Sequence, residues 1–130
     1  MNLSKFSDYA FRILIYLAEN QEKLCTVEEL ASSLGVSEHH IKKIVHHLAK
    51  TEYITSTKGR NGGLKLGMEP KDINLGKILI ITEENLNVSE CFSSAKHGCN
   101  YSTCKFKSIL GEALNAFIDE VSKHTLQDIL

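Results

Sequence analysis

Residues 26–48 hold the most informative pattern in the chain and read Thr26-Val-Glu-Glu-Leu-Ala-Ser-Ser-Leu-Gly-Val-Ser-Glu-His-His-Ile-Lys-Lys-Ile-Val-His-His-Leu48. Thr26 can cap one helix, Glu29 can complete a capping box there, and Gly35 can end that helix. Ser37 can cap the next helix, whose apolar residues recur at three- and four-residue steps. The pattern predicts a helix-turn-helix, with a small Ala31 where the two helices cross.

A glycine-rich hairpin is predicted directly after this motif. Residues 53–57 and 64–66 have the composition of two short strands, and Lys58-Gly-Arg-Asn-Gly-Gly63 joins them. Glycines permit positive φ angles and a close approach of the backbone, while the two cations can reach phosphates or a narrow minor groove. A helix-turn-helix followed by such a hairpin predicts a winged helix.

Positive charge is concentrated in these two motifs. The 130 residues carry a net charge of -1, but residues 36–67 carry +4, which leaves -5 for the remainder. A basic face on an acidic protein favours a polyanion, so double-stranded DNA is the expected partner, and an ordinary solvated helix face is the alternative. The side chains expected to contact DNA are Ser37, His39, His40, Lys42, Lys43 and His46 on the second helix of the motif, and Lys58, Arg60 and Asn61 on the wing.

Helices are also predicted on both sides of the winged motif. An apolar stripe over residues 10–18 predicts a first helix, with Ser7 as its candidate N-cap. Pro70 is expected to open a fourth helical stretch, with Asp72 or Asn74 as its cap.

A long final helix follows Cys104, because apolar residues recur at three- and four-residue steps from Phe106 to Val121. The preceding domain offers little surface for a stripe of this length. A second protomer is therefore the expected partner of the stripe, and packing within the same chain is the alternative. Residues 125–130 are expected to form a last turn.

Three cysteines, Cys91, Cys99 and Cys104, lie in the segment between the fourth helix and the last helix. Thiols this close together in a reducing compartment can converge on one metal ion or cluster. Cys104 lies at the start of the last helix, where unpaired amide groups favour a thiolate. Three interpretations stay open at this point: an iron–sulfur cluster, a zinc site completed by His97, and redox-active thiols without a metal.

The sequence lacks the patterns that are typical of enzymes, secreted proteins and membrane proteins. No nucleophile paired with a base and no phosphate-binding loop has a supporting context, so an enzyme is not expected. The apolar run at residues 13–18 is too short to cross a bilayer, and no secretory leader pattern is present. A cytoplasmic protein without a membrane partner is expected, and Cys25 is predicted to be a packed core thiol.

The whole chain resembles the Rrf-two family of bacterial winged-helix transcriptional regulators. The residues that carry the resemblance are Phe6-Ser-Asp-Tyr-Ala-Phe-Arg-Ile-Leu-Ile-Tyr-Leu-Ala18, the helix-turn-helix, the wing, and three cysteines before a long helix. The resemblance implies a mainly α fold with a small β-hairpin wing. It places a winged helix-turn-helix domain at residues 1–82, an iron–sulfur cluster-binding loop at 83–104, and a dimerisation helix with a terminal turn at 105–130. A homodimeric repressor of a palindromic operator is the function that it implies.

Two branches of this family differ in the fourth ligand of the cluster. In the nitric-oxide-sensing branch the ligand is an aspartate of the partner protomer near the start of its first helix, and Asp8 stands at the matching position. From the residues alone, Asp8 is a surface carboxylate paired with Arg12 one turn later. In the branch that senses cluster supply the ligand is a histidine soon after the third cysteine, and this chain has no histidine there.

The resemblance therefore implies a nitric-oxide-sensing repressor with a 4Fe-4S cluster, or alternatively a 2Fe-2S cluster. Its implied ligands are Cys91, Cys99, Cys104 and the partner's Asp8, with Arg12 coupling that aspartate to the fold. The alternatives are a sensor of cluster supply or redox status and a zinc- or thiol-based redox regulator. Two features depart from the family pattern: a shorter gap between the second and third cysteines, and Lys58 where many members have an arginine, which keeps the charge without the planar fork.

Overall fold

The protein is described by a computed structural model that covers residues 1–86 and 105–130. Within these ranges the fold is mainly α-helical with one small antiparallel hairpin, as the sequence predicts. The helices are α1 (Lys5–Glu19), α2 (Val27–Leu34), α3 (Glu38–Leu48), α4 (Leu75–Thr82) and α5 (Lys105–Val121), the strands are β1 (Ile54–Thr57) and β2 (Gly63–Leu66), and two 3-10 turns span Pro70–Asp72 and Leu126–Ile129.

Helix α1 lies at the centre of the core. Its apolar stripe is buried, and α2, α3, α4, β2 and the terminal 3-10 turn all pack against it. Burying this continuous stripe removes apolar area from water. Each Å² buried stabilises the fold by about 25 cal/mol, and this burial is the main driving force that holds the helices together. The fully buried side chains include Ile13, Leu14, Leu30, Ile41, Ile44, Leu48, Ile78 and Leu126.

Helix α1 begins one turn earlier than the sequence predicts, because its N-cap is Ser4 and the prediction of Ser7 is wrong. Ser4 Oγ accepts a hydrogen bond from the backbone N–H of Ser7 at 3.1 Å. The side chain of Ser7 is fully buried, and its hydroxyl is hydrogen-bonded with the hydroxyl of Thr82, the two oxygens lying 2.9 Å apart. The apolar stripe starts at Ala10, so periodicity alone does not mark the polar first turn of the helix.

The two helix starts of the helix-turn-helix are confirmed. Thr26 Oγ1 accepts from the N–H of Glu29 at 3.0 Å, and Ser37 Oγ accepts from the N–H of His40 at 3.2 Å. Gly35 ends α2 in the left-handed region with φ 65°, a conformation that favours glycine. The turn between α2 and α3 is therefore encoded by local residues.

The predicted capping box at α2 is only half formed. The carboxylate of Glu29 accepts from the Tyr16 hydroxyl at 2.6 Å and from Lys23 Nζ at 2.7 Å. Hydrogen bonds to a carboxylate from a cation and a phenol are strong, which explains why Glu29 turns toward α1 and its following turn. Tyr16 and Lys23 lie outside the motif, so the local pattern gives no indication of them.

The wing is attached to the helix-turn-helix through its root. Strands β1 and β2 pair with Ile54 opposite Leu66 and Thr57 opposite Gly63. Cys25 exchanges two backbone hydrogen bonds with Leu64, at 2.9 and 2.7 Å, so the residue before α2 adds a bridge to the hairpin. Cys25 is fully buried, which confirms its prediction as a core residue.

The start of α4 and the end of α5 are joined. Of the two predicted caps, Asn74 rather than Asp72 caps α4: it accepts from the N–H of Lys77 at 3.1 Å, and its amide donates to the carbonyl of Ser122 at 2.7 Å. Gly76 lies directly against Ser122, where a β-carbon would come within 1.8 Å of its hydroxyl oxygen. The C-terminal end of α5 is thus anchored to the winged domain.

The N-terminal turns of α5 expose large apolar side chains. None of the α5 side chains is buried, and Phe106 and Ile109 are 63% and 61% exposed. The apolar stripe predicted for this helix is present, and the same chain covers it only in part, since Leu110, Leu114, Ile118 and Val121 are partly buried. No helix within residues 1–86 and 105–130 is long and apolar enough to span a lipid bilayer.

Candidate nucleic-acid interface

Helix α3 presents one buried face and one polar exposed face. Ile41, Ile44, Val45 and Leu48 are buried against the core, as the periodicity predicts. The opposite side carries exposed side chains that can donate hydrogen bonds to bases or phosphates, namely His39, Lys42, Lys43 and His46. These four predicted residues therefore share a single accessible surface.

Two other residues predicted to contact DNA already have partners within the fold. The hydroxyl of Ser37 caps α3, and the ring of His40 packs edge-on against Tyr9 of α1 with centroids 5.1 Å apart. His40 is only partly exposed. Ser37 therefore stabilises the start of α3, and His40 packs α3 against α1, in addition to any contact with DNA.

The tip of the wing carries the three remaining predicted residues, Lys58, Arg60 and Asn61, all exposed. Gly59 between the two cations has φ 109°, a backbone conformation that a side chain would strain. In the part of the chain that the structure describes, the ion pairs involve neither Lys58 nor Arg60, nor Lys42 nor Lys43. Cations without a protein counter-charge are available to phosphates.

Two residues at the C-terminal end of α3 were not predicted to belong to this surface. Lys50 lines a groove of about 520 Å³ together with Lys43, His46 and the end of α4. His47 donates from Nε2 to the carbonyl of Ile81 at 2.6 Å and packs edge-on against Phe6. The excess of cations in residues 36–67 is the only sequence signal for Lys50. No local pattern predicts the contact of His47, because its partner Ile81 is 34 residues away.

A chain of contacts connects Asp8 to this surface. Asp8 Oδ2 pairs with an Arg12 nitrogen at 3.0 Å, and both side chains are about half exposed. The guanidinium of Arg12 lies over the ring of Tyr9, 5.7 Å from its centroid, and Tyr9 contacts His40 of α3. A cation over an aromatic face is attracted to it, so Arg12, Tyr9 and His40 form a continuous set of contacts between α1 and α3.

The three clustered cysteines and His97 lie outside the described residues, so their geometry is not addressed by the structure. Within residues 1–86 and 105–130, no group of three or more His, Cys, Asp or Glu side chains could hold a metal ion. The fourth cysteine, Cys25, is buried, and desolvation raises the pKa of its thiol.

Known transcriptional regulators resemble this chain over nearly its whole length. A family model described as "Rrf2: Iron-dependent Transcriptional regulator" matches residues 3–130. The chain belongs to the Rrf2 family. It is 39% identical to a protein of Bacillus licheniformis named "HTH-type transcriptional regulator NsrR", covering 100% of this chain and 92% of that relative. It is 37% identical to the protein of the same name from Bacillus subtilis, covering 100% of this chain and 90% of that relative.

A solved structure described as "T. potens IscR" shares the fold of this Rrf2 protein. The TM-score is 0.77 at 21% identity, over 99% of this chain and 85% of that one. Together with the observed helices and hairpin, it confirms the predicted winged helix-turn-helix. Family membership places the chain among DNA-binding transcriptional regulators rather than enzymes.

Proposed function

We propose that this protein is a homodimeric repressor that binds a palindromic operator and senses nitric oxide through an iron–sulfur cluster. The observation that carries the proposal is the short chain of contacts from Asp8 through Arg12 and Tyr9 to His40. It joins the implied cluster ligand to the helix that presents the DNA-binding surface. Relatives at 37–39% identity carry the name NsrR, which supports the nitric-oxide branch over the branch of IscR.

DNA recognition is assigned to the exposed face of α3 and to the wing. We assign groove contacts to His39, Lys42, Lys43 and His46, and backbone or minor-groove contacts to Lys58, Arg60 and Asn61. Two such surfaces must lie roughly one duplex turn apart, about 34 Å, to occupy both halves of a palindrome. A small change of angle between protomers then removes several contacts together.

The dimer is assigned to the exposed stripe of α5. Phe106, Ile109 and Phe117 are each more than two-fifths exposed, which is unusual for large apolar side chains on one helix face. The anchored C-terminal end of α5 fixes the direction in which this stripe projects. A second copy of the helix provides a matching apolar surface, since a two-fold interface pairs a patch with itself.

The cluster is assigned to residues 83–104 of one protomer and to α1 of the other. The donor set of Cys91, Cys99, Cys104 and the partner's Asp8 consists of three thiolates and one carboxylate, which suits iron. Bound there, a 4Fe-4S or 2Fe-2S cluster supplies iron that reacts with nitric oxide. The half-exposed carboxylate of Asp8 fits this role because it can be reached from outside its own protomer.

Asp8 has two competing uses in this mechanism. Among the four implied ligands Asp8 would be the one carboxylate, a harder donor than a thiolate, and it would hold iron less tightly than the three cysteines. When it does not bind iron, Asp8 can pair with Arg12, whose guanidinium lies over the ring of Tyr9. Since Tyr9 supports His40, the pairing of Asp8 biases the position of α3.

Iron and sulfide analysis of anaerobically purified protein tests the proposal. We expect stoichiometric iron and inorganic sulfide, loss of the visible absorption with nitric oxide, and a fall in operator affinity by about tenfold or more, or 1.4 kcal/mol. Fluorescence anisotropy with a labelled operator measures the last effect. Colourless protein that contains zinc, or a nitric oxide response in the absence of iron, would replace the cluster with a zinc or thiol regulator.

Matched cysteine variants sharpen the same experiment. Cys99→Ala is expected to lose iron and the nitric oxide response while the winged domain keeps its circular dichroism spectrum. Cys25→Ala is the control, because this buried thiol lies in the core. Iron loss in Cys25→Ala, or retention of regulated DNA binding in Cys99→Ala, would contradict the assignment of the ligands.

A further inference from the structure

Three successive residues at the end of α4 hold two helices of the winged domain. The carbonyl of Ile81 accepts from His47 Nε2 of α3 at 2.6 Å. Two residues later, the carboxylate of Glu83 accepts from the backbone N–H of Ser4 at 3.0 Å and from its hydroxyl at 3.1 Å. The hydroxyl of Ser7 also donates to Glu83. Residues 81–83 therefore connect α3 to the start of α1.

The contacts of Glu83 satisfy groups that would otherwise lack partners. The first N–H groups of a helix have no acceptor within the helix, and a negative charge is favourable there. Glu83 supplies both the acceptor and the charge from 79 residues away in sequence. Ser7 and Thr82 are both buried, and their hydroxyls are linked at 2.9 Å. Because buried polar groups need partners, displacing Glu83 is costly.

The position of Glu83 in the chain gives these contacts a second consequence. Glu83 is the first residue after α4 and lies eight residues before Cys91. Glu83 accepts from the backbone N–H of Ser4. The carbonyl of Ser4 in turn accepts from the N–H of Asp8 at 3.0 Å. The same residue thus precedes the cysteines in sequence and binds the start of the helix that carries Asp8.

We propose that Glu83 is a positioning residue that transmits the state of the cysteine segment to α1 and α3. This inference rests on the proposed function, because it needs a segment whose state changes. A displacement of the chain at Glu83 breaks its bonds with Ser4 and Ser7, loosens the first turn of α1, and moves the Ile81 carbonyl away from His47. Operator affinity then depends on Glu83, although Glu83 is assigned neither to the DNA-binding surface nor to the cluster ligands.

Glu83→Gln tests this role with Glu84→Gln as the matched control. The two substitutions remove the same charge from adjacent residues, and Glu84 is exposed and takes no part in the capping of α1. For each protein, operator affinity is measured anaerobically with iron bound and again after iron removal by a chelator. The quantity compared is the operator affinity of the iron-bound protein divided by that of the iron-free protein. We expect Glu83→Gln to retain iron and to reduce this affinity ratio by about fivefold or more, and Glu84→Gln to keep the wild-type ratio.

Amide hydrogen exchange supplies a readout that needs no metal. Iron-free Glu83→Gln should exchange faster than wild type at the amides of Ser7 and Asp8, which close the first turn of α1. His47→Ala should lower the affinity ratio in the same direction, and the double variant should show less than the sum of the two effects, because both residues act through one connection.

The possible outcomes separate the two proposals. A wild-type ratio of one would refute the proposed function and this coupling together. In a second outcome the wild-type ratio is above one, Glu83→Gln keeps that ratio, and α1 exchanges faster. Glu83 would then be a structural cap only, which overturns this inference alone. Unchanged exchange at Ser7 and Asp8 would show that the carboxylate does not hold α1, which also overturns it.

Discussion

Glu29 shows at the residue scale how one carboxylate joins three parts of the fold. Its hydrogen bond with Lys23, followed by that with Tyr16, lowers the pKa of the carboxyl. The stabilisation is therefore fully present above the pKa of the unfolded chain, about 4.3, and is lost as the pH falls through the lower folded value. Acid should weaken the attachment of α2 to α1 before it affects the apolar core.

We expect Glu29→Gln to lower the free energy of unfolding by about 1 kcal/mol at pH 7, because the amide accepts weaker hydrogen bonds than the carboxylate. The deficit should shrink as the pH falls below the unfolded carboxyl pKa of about 4.3 and through the lower pKa of the folded protein, where the wild-type carboxyl becomes protonated. Urea denaturation at pH 7 and across this acid range measures the change. Glu28→Gln is the control, since Glu28 lies in the same first turn of α2 and is exposed. An equal loss in both variants would assign the effect to the helix dipole instead.

At the scale of elements, the junction of α4 with the end of α5 depends on the absence of a side chain at Gly76. A β-carbon there would lie 1.8 Å from Ser122 Oγ and 2.9 Å from Ser122 Cα. Rotating the serine side chain relieves the first contact but leaves the second. We therefore expect Gly76→Ala to destabilise the protein by about 1–3 kcal/mol, although alanine is the better helix former.

Thermal unfolding and urea titration measure the effect of Gly76→Ala. Ser122→Gly removes the hydroxyl and the β-carbon that the alanine would meet, so the double variant should recover part of the lost stability. Additive losses in the double variant would show that the alanine acts through α4 itself and that the two elements are not in contact as described.

The elements also show which parts of the fold the sequence could predict. The capping contacts of Thr26, Gly35 and Ser37 lie within a few residues of each cap, so capping rules predicted these positions correctly and narrowed the cap of α4 to Asp72 or Asn74, of which Asn74 forms it. The bonds of Glu83 to Ser4 and of His47 to Ile81 join residues that are 79 and 34 positions apart. Such contacts depend on how the helices pack, and a local pattern carries no information about them.

At the scale of the whole molecule, the apolar stripe of α5 predicts a change of oligomeric state. Ile109 is 61% exposed in the described protomer, and Asn115 lies on a different face of the same helix. We expect Ile109→Lys to convert the dimer to a monomer and Asn115→Lys to leave it a dimer, because both add one charge but only the first places it in the apolar stripe. Analytical ultracentrifugation measures the state of each variant.

Operator binding should change together with the oligomeric state. A palindrome engages two winged domains at once, and loss of that bivalency is expected to weaken binding by about a hundredfold or more. A single half-site duplex should bind both variants equally, since the exposed cations of α3 and the wing are unchanged. If Ile109→Lys remained a dimer with full operator affinity, the stripe of α5 would not be the surface that joins the protomers. A monomer with full affinity would instead show that recognition does not need two copies.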